Sequence, residues 1–127
     1  MAKASNTFTP SSARDKRPAW PAPRNYGFEH TLADAARRKM AVKLLLKGDN
    51  LYRTFEPHIL YMSQTRQVFV AGNQVENPAD PAEANQWQAP EVGRIRDVQI
   101  TDRAFRVDSR FDRTEPQYSQ GVICAVD

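Results

Sequence analysis

The chain has a single cysteine, Cys124. This excludes an internal disulfide and any zinc site built on several thiolates. Glycine is scarce too, five in 127 residues, which leaves little material for a loop that cradles nucleotide phosphates. The two histidines, His30 and His58, lie far apart and in no metal-ligand spacing. No apolar run approaches the roughly 18–20 residues that cross a bilayer. The opening MAKASNTFTPSS has one lysine and no apolar stretch behind it, unlike a secretory signal. A cytoplasmic protein without membrane segment, metal or cofactor is expected. No Gly-x-Ser-x-Gly elbow or supported Cys/His pair is present, and such arrangements are what nucleophilic catalysis needs. Asp97, Asp102, Asp108 and Asp112 alternate with arginines, a pattern of surface ion pairs rather than of an acid/base dyad. The expectation is a protein that is not an enzyme.

Charge is modest in sum and uneven in place. The net value is +3. Residues 1–30 carry five basic and two acidic side chains, and residues 31–73 carry seven and three. Residues 74–92 carry none and four, and residues 93–127 balance at six each. A basic excess in the first two stretches suits an anionic partner, and equally suits a solvated face.

The most ordered pattern runs from Ala41 to Gly72. Val42, Leu44 and Leu46 alternate with Lys43, Leu45 and Lys47, a period of two that predicts a strand with its lysines outward. Gly48-Asp49-Asn50 and Ser63-Gln64-Thr65-Arg66 are turn chemistry, and Gln67 to Ala71 is a further short strand. The prediction is a three-stranded antiparallel meander. Pro57 in its second strand has no amide to donate, so that strand lies on an edge or is bent there. A bend also accounts for Phe55 and Leu60 falling out of one alternation, and bent strands curl small sheets into barrels.

Around the meander the chain divides into three. Residues 1–27 hold Pro10, Pro18, Pro21 and Pro23, many basic side chains, and little to bury besides Phe8 and Trp20; they read as a disordered or draped arm. Residues 28–116 are the expected domain. Thr31 and Asp34 have capping-box spacing and open a predicted helix over Leu32 to Met40. Asn73 to Pro90 reads as a long loop with one helical turn at Pro81–Ala84, pegged by Trp87. Ile95–Ile100 and Ala104–Val107 read as strands either side of a turn at Thr101-Asp102. Residues 117–127 end in an apolar stretch, an edge strand or a segment exchanged with a second copy. The expected fold is mainly β: a small five-stranded SH3/Sm-like barrel with one short N-terminal helix.

Several of these segments share their order and spacing with a known family. The helix is followed by Val42–Leu46, then by Arg53-Thr54-Phe55-Glu56-Pro57 with Leu60, then by Arg94-Ile95-Arg96-Asp97-Val98-Gln99-Ile100-Thr101-Asp102-Arg103-Ala104-Phe105. Over roughly Thr31 to Phe111 the chain resembles a WYL domain, a bacterial sensor module named for a Trp-Tyr-Leu strand. Val68-Phe69-Val70 stands where that tripeptide would fall, Leu46 where a tyrosine often ends the first strand, and Gln88 where an arginine is usual. The resemblance implies an Sm-like or SH3-like barrel that binds an anionic, nucleic-acid-like ligand through basic and aromatic residues.

The candidate binding residues are Arg53, Arg66, Arg94 and Arg96, all in or beside predicted strands, with Tyr61 and Phe69. Arginine forks match phosphate, and aromatic rings stack on bases. The competing reading puts Tyr61 and Phe69 in the core and pairs the arginines with Glu56, Asp97 and Asp102. Two functions are expected on these grounds: a binding module for single-stranded nucleic acid or a nucleotide, or an assembly subunit. The latter would join a homodimer or protein partner through the Trp20 arm and the C-terminal tail.

Overall fold

The computed structural model describes residues 22–127. The expected arm up to residue 21, with Phe8 and Trp20, lies outside them. The helix, α1, spans Tyr26–Arg38 and starts earlier than its pattern suggested. Asn25 is the N-cap: its side-chain oxygen accepts from the Phe28 amide at 2.9 Å, satisfying one of the orphan donors of the first turn. Thr31 is therefore no cap. Its hydroxyl donates to the Gly27 carbonyl inside the helix, and Asp34 instead pairs with Arg38 one turn on, at 3.0 Å. The helix stops at Lys39 in the left-handed conformation (φ 54°), whose N–H returns to the Ala35 and Ala36 carbonyls.

Six strands form one antiparallel sheet: β1 Met40–Leu46, β2 Arg53–Met62, β3 Val68–Glu76, β4 Gln86–Gln88, β5 Ile95–Ala104 and β6 Val122–Ala125. The order is β4-β3-β2-β1-β5, with β6 on β2. The meander is as its alternation predicts. Val42 and Leu44 enter the main core with Leu46 packed against it, while Lys43 points the other way and donates to the Thr54 hydroxyl. Gly48 (φ 91°) turns the chain after β1, and the Arg66 amide closes the β2–β3 turn on the Ser63 carbonyl.

Pro57 bends β2 in the middle. The register against β3 shifts between Pro57 and Ile59, which puts both Phe55 and Leu60 in the main core. On the other side β1 pairs only with Arg53–Phe55, and β6 takes over at Ile59–Tyr61. The hand-over falls where proline has no donor to leave unpaired.

Three expectations need correction. The stretch from Asn73 is no simple loop: β3 runs on to Glu76, and Gln86–Gln88 pairs back on Gly72–Gln74. The 3-10 turn Pro81–Glu83 is where a helical turn was expected. No turn interrupts residues 95–104, because Thr101 stays in the strand and donates to the Ala41 carbonyl at 2.7 Å. The third concerns closure. Among the described residues the sheet has six strands, not five, and it curls without closing: β4 and β5 are not hydrogen-bonded to each other. The chain after β4 follows β3 through Val70 N–H to Pro90 O and the Phe69–Glu91 bridge. A 3-10 turn, Val92–Arg94, then carries it to β5 beside β1. The mainly β architecture with one helix stands.

Two cores lie on opposite faces of the β2–β3 hairpin. Leu60, Val68 and Val70 face the main core with Leu32 and Ala35 of α1. Ile59, Tyr61 and Ala71 face a second cluster with Tyr118, Trp87 and Phe111, as strand alternation requires. Residues 117–127 thus join the domain: Tyr118 is buried and β6 is an edge strand of the chain's own sheet. No described helix is long and apolar enough to cross a membrane.

Residues 22–24 dock on the 3-10 turn before β5. The Ala22 amide donates to the Glu91 carboxylate at 3.0 Å, and a Cβ on Gly93 would collide with the Ala22 side chain and the Pro23 carbonyl. Gly93→Ala is expected to detach residues 22–24 at a cost of about 1–3 kcal/mol, seen as faster tryptic cleavage after Arg24. Cleavage at the wild-type rate would count against this contact.

Candidate functional site

The six candidate residues separate into distinct environments. Arg53, on β2, already holds an acid: its guanidinium donates to both Asp49 carboxylate oxygens (2.9 and 3.3 Å) and to the Gln74 side-chain oxygen (3.0 Å). Glu83 stands 3.8 Å away. Arg94 donates to buried Glu91 at 3.0 Å. The two arginines share no partner among the described residues, and each is paired with an acid where it stands. Neither pairs with Glu56, Asp97 or Asp102; Asp97 instead accepts from the Tyr52 hydroxyl at 2.6 Å and from Gln99. That bond holds the Asp97 carboxyl below its ordinary value and raises the Tyr52 hydroxyl. Arg96 is exposed on β5.

The other three residues come together. Tyr61 and Phe69 are direct cross-strand partners on the outer face of the hairpin, with rings stacked at 5.6 Å and 24°. Such pairs contribute beyond their buried area. Tyr61 is buried and meets Tyr118 edge-on at 4.8 Å, so it is part of the second core, as the competing reading held. Burial raises its hydroxyl pKa. Phe69 is only half-buried. Both rings line a groove of about 600 Å³ between the β2–β3 turn and residues 116–120. Its rim carries hydroxyls from Ser63, Thr65 and Ser119 and amides from Gln64, Gln117 and Gln120, with no charged side chain among the described residues. Arg66 belongs to the same turn, in the left-handed conformation (φ 65°). Among the described residues it has no acidic partner.

The turn supplies its own rigidity. The Ser63 and Thr65 hydroxyls bond each other, the Thr65 hydroxyl donates to the Gln67 side-chain oxygen, and the Gln67 amide donates to the Ser63 hydroxyl, which ties the turn that carries Gln64 and Thr65. The facing wall, Pro116–Tyr118, is a 3-10 turn anchored by Tyr118 beneath it. Among the described residues the Tyr118 hydroxyl is buried without a hydrogen-bond partner.

A third cluster escaped the sequence reading. His58 is fully buried and ringed by Trp87, Phe105 and Phe111 at 5.0–5.6 Å. Its Nε2 accepts from the Asp108 amide at 2.9 Å, which leaves Nδ1 to donate to the Glu56 carbonyl at 2.8 Å. Both nitrogens are committed to main chain, so the ring is neutral and has no lone pair or proton to offer a substrate. Burial pushes its pKa down. Beside it Arg110 ties Asp108 (2.6 Å), Asn73 (2.8 Å) and the Asn85 carbonyl (2.9 Å) together, and its bond to Asp108 lowers that carboxyl to about 2. The available signal was the spacing of Phe105, Asp108, Arg110 and Phe111, an aromatic pair enclosing an ion pair. Its partner His58 is 50 residues away. Compared with models of known protein families, with curated proteins and with solved structures, the chain matches none.

Proposed function

We propose that this chain is a non-enzymatic ligand-binding module for single-stranded nucleic acid or a nucleotide. The observation that carries the reading is the groove over the stacked Tyr61–Phe69 pair. A half-buried aromatic floor offers a base a stacking face, and a rim of amides and hydroxyls matches the donors and acceptors on base edges. Arg66 on the adjoining turn would meet a phosphate without first breaking an ion pair to a described residue. Arg53 and Arg94 are poorer phosphate contacts, since an anion would have to displace Asp49 or Glu91. The commitment of both His58 nitrogens supports binding over acid/base chemistry. The WYL-like spacing of β1, the Pro57 segment and β5 supports the same class, as a divergent relative of that sensor module.

The test is binding of a labelled mixed-sequence single-stranded oligonucleotide at two salt concentrations. Affinity should fall with salt, because phosphate contacts release counterions. Phe69→Ala should weaken binding by about 1–3 kcal/mol, the worth of one stacked base. Arg66→Ala should lower both affinity and salt slope, while Arg53→Ala should alter stability more than binding. Affinity indifferent to salt and to both Phe69 and Arg66 would end this reading.

A further inference from the structure

β5 ends the strand order, and β1 is its only hydrogen-bonded neighbour among the described strands. It runs for ten residues, against three in β4 and four in β6. Which of its main-chain groups stay open follows from β1. The Lys39 and Ala41 carbonyls and the Lys47 amide all bond to β5 or the residues flanking it. Main-chain groups turn to alternate sides along a strand, so Lys43 and Leu45 also turn theirs to β5, where Gln99 and Asp97 meet them. Val98 and Ile100 therefore keep an N–H and a C=O each at the open edge. No proline or lysine lies between Ile95 and Ala104, so the usual side-chain guards of an edge are missing.

The same edge on a second copy is its complement. Across a twofold axis, only antiparallel registers centred on Val98, Gln99 or Ile100 set the open groups of these two residues against each other. Centred on Val98, the pairing puts Arg96 opposite the partner's Ile100. Centred on Ile100, it puts Val98 opposite the partner's Asp102. Centred on Gln99, it puts Val98 opposite the partner's Ile100 and Arg96 opposite the partner's Asp102, each twice. Val98 and Ile100 are half-buried against the main core, so this register continues the core from one copy to the next. Arg96 and Asp102 are exposed, and neither has an ion-pair partner among the described residues. The register shifts of β5 against β1 fall beside these two residues and confine the regular edge to Asp97–Ile100, which keeps the association weak.

We infer that β5 is a dimerisation edge. Two copies join Val98 to Ile100 by main-chain hydrogen bonds about a twofold axis at Gln99, and Arg96 and Asp102 close an ion pair at each end. The contact does not involve the groove over Phe69, and it differs from the Trp20 arm and C-terminal tail through which the sequence suggested a homodimer.

Sedimentation of the full chain from about 20 µM to about 1 mM, the span in which weak interfaces form, tests the inference. A reversible monomer–dimer equilibrium is expected, with a dissociation constant of roughly 10–500 µM for a contact below about 1,200 Å². Arg96→Glu alone, or Asp102→Arg alone, sets like charges opposite each other at both ends and should weaken the dimer roughly five- to thirtyfold. Combining Arg96→Glu with Asp102→Arg exchanges the charges and should bring the dimer back to near wild-type strength, a rescue that damage to the fold would not show. In NMR spectra recorded over the same concentrations, shifts should fall on Asp97–Thr101. A monomer at the highest concentration overturns the inference. So do single variants that dimerise like the wild type, a combined variant no stronger than the singles, or shifts confined to Val122–Ala125.

Discussion

Gly72→Ala is expected to lower stability by about 3 kcal/mol or more, or to prevent folding. Gly72 stands opposite Pro57, where β2 bends. A Cβ there would lie far inside contact distance of the Glu56 carbonyl oxygen, 2.9 Å from that carbonyl carbon, and 3.1 Å from the Phe55 ring. Two of the three obstacles are main chain and cannot rotate away. The hairpin would have to open at its bend, and Phe55 would leave the main core. Urea denaturation checks this; in a domain of this size the loss corresponds to a fall of roughly 10–20 °C in Tm. Gly48→Ala supplies the contrast: nothing lies within 4 Å of its added Cβ, and only the positive φ of 91° opposes it, at a cost of about 1 kcal/mol. If Gly72→Ala were as mild, the close approach at the bend would be wrong.

The second large effect belongs to His58. His58→Ala should cost about 3–5 kcal/mol, because it empties an aromatic-lined site and strands the Asp108 amide and the Glu56 carbonyl. The wild type should also lose stability with acid, through two groups. Burial depresses the His58 pKa in the folded protein, whereas the unfolded chain titrates near 6.5. Below that value the unfolded chain binds a proton that the native one refuses. The His58 contribution is therefore complete above about pH 6.5 and declines until the depressed folded value is passed. Asp108, held to about 2 by Arg110 against an ordinary 3.8, adds a second decline between those two values. Urea midpoints measured from pH 8 to pH 5 in wild type and His58→Phe check the first decline. The wild-type slope should flatten in the variant; equal slopes would mean that His58 titrates alike in both states.

Short-range chemistry was readable in the sequence, and long-range partnership was not. The meander showed itself because alternation in Val42–Leu46 and turn residues at Gly48 and Ser63–Arg66 act over a few positions. The start of α1 was hidden because Tyr26, Gly27 and Phe28 are indifferent helix formers, while Thr31 and Asp34 imitate a cap. Asn25 prevails by reaching the Phe28 amide. β4 is three residues of Gln-Trp-Gln between prolines and acids, and only the waiting edge of β3 makes it a strand. Thr101-Asp102 has turn composition, but Thr101 spends its hydroxyl on β1. Tyr61 and Phe69 were named for stacking on bases; in the fold they stack on each other, and their groove needs the 116–120 segment for its other wall. Arg53 and Arg94 were placed in a binding role that ignored Asp49 and Glu91, the acids four and three residues away that hold them.

The shared edge of β2 has a consequence for the making of the protein. Ile59, Leu60 and Tyr61 meet their second neighbour strand only at Val122–Ala125, more than sixty residues further along the chain. At ordinary rates of synthesis of about 5–20 residues per second, that apolar edge waits roughly 3–12 s for its cover. In that interval the growing chain exposes an unpaired strand, and Pro57 guards only one end of it. Losses during production should therefore come from nascent chains that find each other before their own last strand emerges. Slower translation would lengthen the hazard, and a holding chaperone would relieve it without changing the stability of the finished fold.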